Sequence, residues 1–465
     1  MKKGQTIELP IHSTAFKGKG VGRYQERAIF VKGAVPGDVV SARIIKKKKN
    51  YLEAKLLDII EASQDRITPK CQHAGVCGGC SWQQLPYDKQ LEYKRQQVED
   101  HIRRIGKCDT PVNDTLPSEQ AFYYRNKMEY SFSPRRWLSD EEIQREEFVD
   151  DSGFAAGLHA PGRFDKILNL NECHLQDPIS YKMLDFIRSY ALTHKIDAFD
   201  TFEKTGFFRH LVVRKAYHTN DLMVNLFCYY EDQEIIKGLY AEMMKLFPSI
   251  TTFIVSINDQ PNPTATGRYQ HVLHGPGHIE DRIGAYRFTI DPKAFFQTNT
   301  AQAEALYSVV AKFADIQNDD IVYDLYCGVG TLSLFLSDHA SKVVGIELVD
   351  EAIENARINA SKNGVRHAYF VKGDMKDTFN EAVIQQYGHP NVLITDPPRA
   401  GMHPDVISQL LNLKAPKIIY VSCDSSTLAR DLALLSEAYR VDAIQPVDMF
   451  PQTYHIETVT ALTLK

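Results

Sequence analysis

Val322-Tyr323-Asp324-Leu325-Tyr326-Cys327-Gly328-Val329-Gly330-Thr331 is an apolar run that breaks into a glycine turn and then opens a helical pattern. A run this short, bounded by turn residues, reads as a buried strand, and the glycines let the backbone come close to a nucleotide at the mouth of a sheet. Glu347 ends the next apolar run, KVVGIEL, 17 residues after Gly330, where a carboxylate can hold both hydroxyls of a ribose. G-x-G alone carries little weight, and the fuller G-x-G-x-x-G of dinucleotide folds is absent. From about residue 285 onward strands alternate with helices, the pattern of a parallel sheet covered on both faces.

Two further strand ends in this region carry reactive groups. Asn391 to Pro398, NVLITDPP, stops on Asp396, and a carboxylate at the carboxyl end of such a strand faces the ligand crevice. The plain alternative is a turn initiator, since Asp-Pro-Pro breaks strands. Ile418 to Leu432, IIYVSCDSSTLARDL, runs from a buried strand through Cys423 into a helix for which Ser425 and Ser426 are good caps. A thiol there can be favoured as thiolate by the helix dipole, so Cys423 is the candidate nucleophile. A lone cysteine is more often a small core residue; the neighbouring motifs shift that balance.

At 465 residues the chain exceeds one ordinary core, and its 43% hydrophobic and 24% charged content is that of a soluble globular protein. No run of 18 apolar residues and no apolar leader appears, so a cytoplasmic protein is expected. The net charge of −5 hides an asymmetry: residues 1–62 hold 13 Lys/Arg against 6 Asp/Glu, which suggests a polyanion held at one end. Three parts are expected: a β-barrel over 1–62, an α+β domain over 63–284 and an α/β domain over 285–465.

Residues 5–60 alternate short apolar runs with turn signals, as a small barrel does, with Lys46 to Lys49 at a hairpin tip. Cys71, Cys77 and Cys80 then fall within ten residues, in CQHAGVCGGC, a spacing unlike a disulfide framework. A tetrahedral sulfur site needs a fourth ligand, and Cys173 in NLNECHLQD is the best candidate, with zinc as the commonest metal for four cysteines. The C-x5-C-x2-C spacing is not that of radical enzymes. Tyr87 to Ile105 and Ile179 to Thr193 read as helices; Arg209 to Tyr217, Leu222 to Tyr229 and Thr252 to Asn258 read as sheet. Tyr123, Tyr124, Arg125, Lys127, Phe164 and Lys166 have the chemistry to grip RNA, although alternating aromatics also suit a half-buried strand. Arg125-Asn126-Lys127 is expected at the surface, and Asp140 to Asp151 as a solvated acidic loop.

Several of these motifs resemble known families. GKGVGR followed by AIFVKGAVPGDVV and a lysine-rich turn resembles the TRAM domain, an RNA-binding OB-like barrel. DLYCGVGT resembles motif I of the Rossmann-like class I S-adenosylmethionine-dependent methyltransferases, which implies Thr331 and Asp374 near the cofactor. Arg399 stands where the DPPY and NPPY amino-methyltransferases have an aromatic residue, so a carbon target is favoured over an exocyclic amine. Uracil C5 is a weak nucleophile. A thiolate adding at C6 activates it, and a base must then remove the C5 proton; Cys423 supplies the first, and Glu457, opening the last strand in YHIETVTAL, is the best candidate for the second.

The whole chain resembles the TRAM-containing RNA (uracil-5-)-methyltransferases, in particular the 23S rRNA enzymes of the RlmD type. The resemblance rests on the barrel, the cysteine cluster, FQTN at 296–299, DLYCGVGT, DPPRAG, SCDSSTLARDL and HIETVTAL. It implies Cys423 as nucleophile and Glu457 as base. Gln297, Tyr326, Glu347 and Asp396 are implied contacts to S-adenosylmethionine, with Tyr326 in place of a common phenylalanine. A [4Fe-4S] cluster on Cys71, Cys77, Cys80 and Cys173 is implied in preference to zinc. 23S rRNA is the expected partner, because tRNA-directed relatives generally lack the barrel and the cysteines, and a monomer is expected. The competing readings are the same chemistry on tRNA, amino-group methylation, and an inactive RNA-binding iron–sulfur protein.

Overall fold

In-and-out alternation closes the N-terminal segment into a barrel. Strands β1 (Thr6–Ala15), β2 (Lys19–Tyr24), β3 (Arg27–Lys32), β4 (Val39–Lys47) and β5 (Tyr51–Glu61) pair in the order β1-β2-β3-β5-β4. Leu9, Ile29, Val31, Val40 and Leu52 fill the interior at alternate positions, as a period of two requires. Lys46 and Lys47 end β4 and Lys48 and Lys49 form the exposed turn, where the sequence put them. The structure, a computed structural model, describes residues 2–24, 27–138, 142–143, 154–162, 165–260, 265 and 267–465. The acidic stretch 140–151, Glu142 and Ile143 apart, lies outside the described residues, as does Phe164.

The chain groups into two compact units: residues 1–70, 80–121 and 302–465 form one, and 71–79 with 122–301 the other. The expected linear division into 1–62, 63–284 and 285–465 does not follow these contacts. Helix α1 (Tyr87–Arg104) explains why, since its Val98 and Ile102 are buried in the same apolar core as Tyr323, Leu325, Ile418 and Leu462. Each such side chain contributes about 1.5–3 kcal/mol, enough to fix the allegiance of the segment.

The second unit is built on β6 (Lys127–Ser133), β7 (Ala155–His159), β8 (Ile167–Asn169), β9 (Phe208–Lys215), β10 (Leu222–Cys228), β11 (Thr252–Ile257) and β12 (Tyr269–His274). They form one sheet in the order β12-β11-β10-β9-β6-β7-β8, with only β10 and β11 parallel. Helices α2 (Ile179–Thr193) and α3 (Gln233–Leu246) and the hairpin β13 (Ile279–Ile283) and β14 (Tyr286–Ile290) complete it, and helix α4 (Thr300–Ala314) follows. Arg125-Asn126-Lys127 is not an exposed polar run. Asn126 is buried because its Nδ2 donates to Gln297 O at 2.8 Å and to Thr300 Oγ1 at 2.9 Å, which offsets the cost of leaving water.

The C-terminal part of the first unit is a wrapped sheet. Its elements are β15 (Ile321–Leu325), α5 (Thr331–Leu336), β16 (Lys342–Glu347), α6 (Asp350–Lys362), β17 (Ala368–Lys372), α7 (Met375–Thr378), α8 (Glu381–Tyr387), β18 (Val392–Thr395), α9 (Pro404–Leu413), β19 (Lys417–Ser422), α10 (Ser425–Leu435), β20 (Tyr439–Val447) and β21 (Glu457–Leu464). The order is β17-β16-β15-β18-β19-β21-β20, parallel through β19 and antiparallel beyond. The strand order reverses between β15 and β18, so their carboxyl ends open the crevice where this architecture binds ligands. Among the described residues no helix is long and apolar enough to cross a membrane.

Candidate active site

The glycine turn after β15 forms as its sequence dictates. Gly328 and Gly330 take φ of 56° and 79°, and a Cβ on Gly330 would sit 3.0 Å from the Phe370 ring. Tyr326 holds a left-handed φ of 67° at the same turn. Glu347, at the carboxyl end of β16, is fixed by three backbone N–H donors: Gly328 at 3.1 Å, Leu348 at 2.8 Å and Val349 at 3.0 Å. Thr331 Oγ1 lies 2.8 Å from the Tyr307 hydroxyl, and Asp374 caps α7 through Lys376 N. Asp324 is buried beneath the turn, takes a hydrogen bond from the Ser333 hydroxyl, and is pushed up to about 7 by burial and the charge of Glu347. A turn that permits close backbone approach, beside a positioned carboxylate, fits a nucleoside such as that of S-adenosylmethionine. Gln297 lies in the second unit, where its carbonyl accepts from Asn126.

Three predicted reactive residues meet at the ends of β18, β19 and β21. Ser422 pairs with Thr458 in antiparallel register, which carries Cys423, one residue on, across from Glu457, one residue back. Cys423 lies in a cleft of about 210 Å³ lined also by Lys17, Gln97, Arg399, Ser425 and His455. Burial first, then the carboxylates of Glu457 and Asp396, push its thiol up to about 12, while the hydrogen-bonded Arg399 guanidinium pulls the other way. Glu457 is buried, and burial together with Asp396 drives its carboxyl well above the usual range. Asp396 is itself raised to about 7 by burial and by Asp324.

Two local expectations change. The cap of α10 is Asp424 and neither Ser425 nor Ser426: its carboxylate accepts from Ser426 N at 2.9 Å and Thr427 N at 3.4 Å, because its extended backbone sets it over the first turn. Burial and two carboxylates push the Cys423 thiol up, against the expectation that its thiolate form is favoured there. Sequence reasoning also passed over Arg399 as a partner of the thiol, although a cation directly after Asp-Pro-Pro was a readable signal. It missed His101, whose Nδ1 lies 2.8 Å from Ser425 Oγ and ties α1 to the cleft wall.

Of the four candidate metal ligands, Cys71, Cys77 and Cys173 belong to the second unit and Cys80 to the first. Cys71 and Cys173 lie within electrostatic reach of each other. Gly79 N donates to Cys77 Sγ at 3.3 Å, and the N–H groups of Leu175 and Gln176 donate to Cys173, an arrangement suited chemically to anionic sulfur. Among the described residues, no three His, Cys, Asp or Glu side chains are gathered as a metal-holding group.

Comparison with known proteins finds two matching family models and similar chains. Residues 269–465 match the family described as tRNA (Uracil-5-)-methyltransferase, and residues 1–57 match the TRAM domain. A protein of Bacteroides thetaiotaomicron described as an uncharacterized RNA methyltransferase is 43% identical over 97% of this chain and 100% of its own length. One of Porphyromonas gingivalis with the same description is 41% identical over 98% and 99%. The crystal structure of Pyrococcus abyssi tRNA (uracil-54, C5)-methyltransferase in complex with S-adenosyl-L-homocysteine is similar over 98% of this chain and 100% of that one, with a TM-score of 0.76 and 26% identity. That likeness runs nearly end to end.

Proposed function

We propose, because the chain belongs to the S-adenosylmethionine-dependent RNA (uracil-5-)-methyltransferase family, that it methylates C5 of a specific uridine in 23S rRNA through a covalent adduct on Cys423. The observation that supports this most is the register placing Cys423 opposite Glu457, with Arg399 and Asp396 beside them. Arg399 favours the thiolate form of Cys423, which adds to uracil C6 and moves the ring electrons toward C5. S-adenosylmethionine, when bound, supplies an electrophilic methyl group. Glu457 in its carboxylate form then takes the C5 proton; the electron pair of that C–H bond restores the C5–C6 double bond, and the Cys423 thiolate leaves. Tyr326, Thr331, Glu347, Asp374 and Asp396 surround the cofactor in this reading, and Gln297 is a further proposed contact. Cys71, Cys77, Cys80 and Cys173 are proposed to hold a [4Fe-4S] cluster that shapes RNA binding, and no catalytic step passes through it.

A second reading takes tRNA as the substrate, favoured by the near end-to-end likeness to the Pyrococcus abyssi protein. Mass spectrometry of 23S rRNA fragments and of tRNA decides between them, using cells that lack the protein and carry either wild type or Cys423→Ala. A single rRNA 5-methyluridine that only wild type restores supports the first reading. Loss confined to tRNA overturns it in favour of the second.

A further inference from the structure

The barrel reaches the catalytic cleft at the turn between β1 and β2. Lys17 sits there with φ of 68° and ψ of 22°, a left-handed conformation that costs a non-glycine residue about 1–2 kcal/mol. Its position is over-determined by its neighbours. Gly18 O accepts from Trp82 Nε1 at 3.3 Å, and a Cβ on Gly18 would sit 2.9 Å from that nitrogen and 3.1 Å from Tyr454 Cβ. Trp82 is buried with Val35, Leu85 and Tyr93, and Tyr454 packs against that cluster. Ser81 N and Trp82 N donate to Gln452 O at 2.9 and 3.1 Å, so the turn is locked to the segment that runs into Glu457.

Lys17 therefore lines the same cleft as Cys423. The wall beside it carries the rings of Tyr454 and His455, 4.2 Å apart and tilted by 36°. A cleft of about 210 Å³ has room for a single base, so the phosphates of the strand that delivers the base must lie at its rim. A lysine ammonium is a compact point charge suited to a phosphate oxygen.

We infer that Lys17 binds a backbone phosphate of the nucleotide next to the target uridine, which makes the barrel a wall of the catalytic cleft and not only a tether for RNA elsewhere. This rests on the RNA uridine reading above. Lys17→Gln keeps the aliphatic stem and removes the charge; Lys17→Arg keeps the charge. Both are made in the full chain, their folding is checked by thermal melts, and RNA binding is measured alongside turnover, using the RNA that wild type methylates. Lys17→Gln is expected to raise KM and weaken RNA affinity about tenfold, and to lower the slope of log affinity against log salt by about one. kcat and S-adenosylhomocysteine affinity should stay within about twofold, and Lys17→Arg should restore affinity and slope. Unchanged affinity and slope in a folded Lys17→Gln protein overturn the inference, as does a fall in kcat at constant KM. Failure of the uridine reading is separate: wild type itself would then form no 5-methyluridine in any RNA.

Discussion

Burial and the carboxylates of Glu457 and Asp396 hold the Cys423 thiol at about 12, far above the pH at which it must attack. Below that value the thiolate fraction rises about tenfold per pH unit, and Glu457, also raised, gains its basic form in the same direction. kcat/KM is therefore expected to climb from pH 6 to pH 9 without a plateau. Arg399→Ala removes the cation hydrogen-bonded to the sulfur and should lower kcat/KM on the order of 10²-fold across that range; a flat pH profile or an unaffected variant would count against this assignment. Asp396 gives the opposite lesson for stability. Its folded value of about 7 exceeds the unfolded 3.8, so the folded state binds its proton more tightly and loses stability as pH rises between those values. Asp396→Asn should raise unfolding stability by about 1–3 kcal/mol at pH 8 and not at pH 3.5, while abolishing activity. The positions of Cys423, Glu457 and Asp396 at strand ends were legible because each stands where an apolar run meets turn residues. Arg399 was legible only as a departure from another motif, and the burial that raises the Cys423 thiol depends on neighbours that sequence spacing does not report.

At the scale of the element, α1 acts as a strut under the cleft. Lys94 Nζ, fully buried, lies 2.6 Å from Asp448 Oδ1, also fully buried, and donates to Phe450 O at 3.2 Å. Gln90 Nε2 donates to Gln452 Oε1 at 3.0 Å, and Gln452 N returns a bond to Gln90 Oε1 at 2.9 Å. Together they hold the segment between β20 and β21 that leads into Glu457. Lys94→Met leaves Asp448 charged and buried, and should cost about 3–5 kcal/mol in urea unfolding; adding Asp448→Leu should recover most of it. If the single variant unfolds like wild type, the pair does not carry this load. The helix itself was readable from its periodicity, but Lys94 looks like any exposed lysine of a charged helix, because its partner is 354 residues away in the chain. Strand β20 was missed for a related reason: Tyr439–Val447 has a mixed burial pattern and a bulge between Val441 and Ala443 that breaks its alternation.

For the whole molecule, barrel and wrapped sheet were legible in outline, and the division into units was not. Residues 80–121 follow the cysteine-rich stretch in sequence but pack with the C-terminal sheet, a long-range choice that no local pattern announces. No proposed catalytic step uses Cys71, Cys77, Cys80 or Cys173. If they hold iron and sulfur, anaerobically purified protein should show visible charge-transfer absorbance and bound iron. Cys80→Ser should then weaken RNA binding while leaving S-adenosylhomocysteine affinity within about twofold; an equal loss of both would contradict a role confined to RNA.

5-Fluorouridine RNA probes the covalent route through Cys423, because fluorine cannot leave C5 as a proton and the adduct is trapped. With S-adenosylmethionine present, intact-protein mass spectrometry should show wild type joined to one methylated RNA, with the modification mapping to Cys423 and absent in Cys423→Ala. Wild type that methylates uridine RNA yet forms no adduct, or forms it at another residue, would contradict the account.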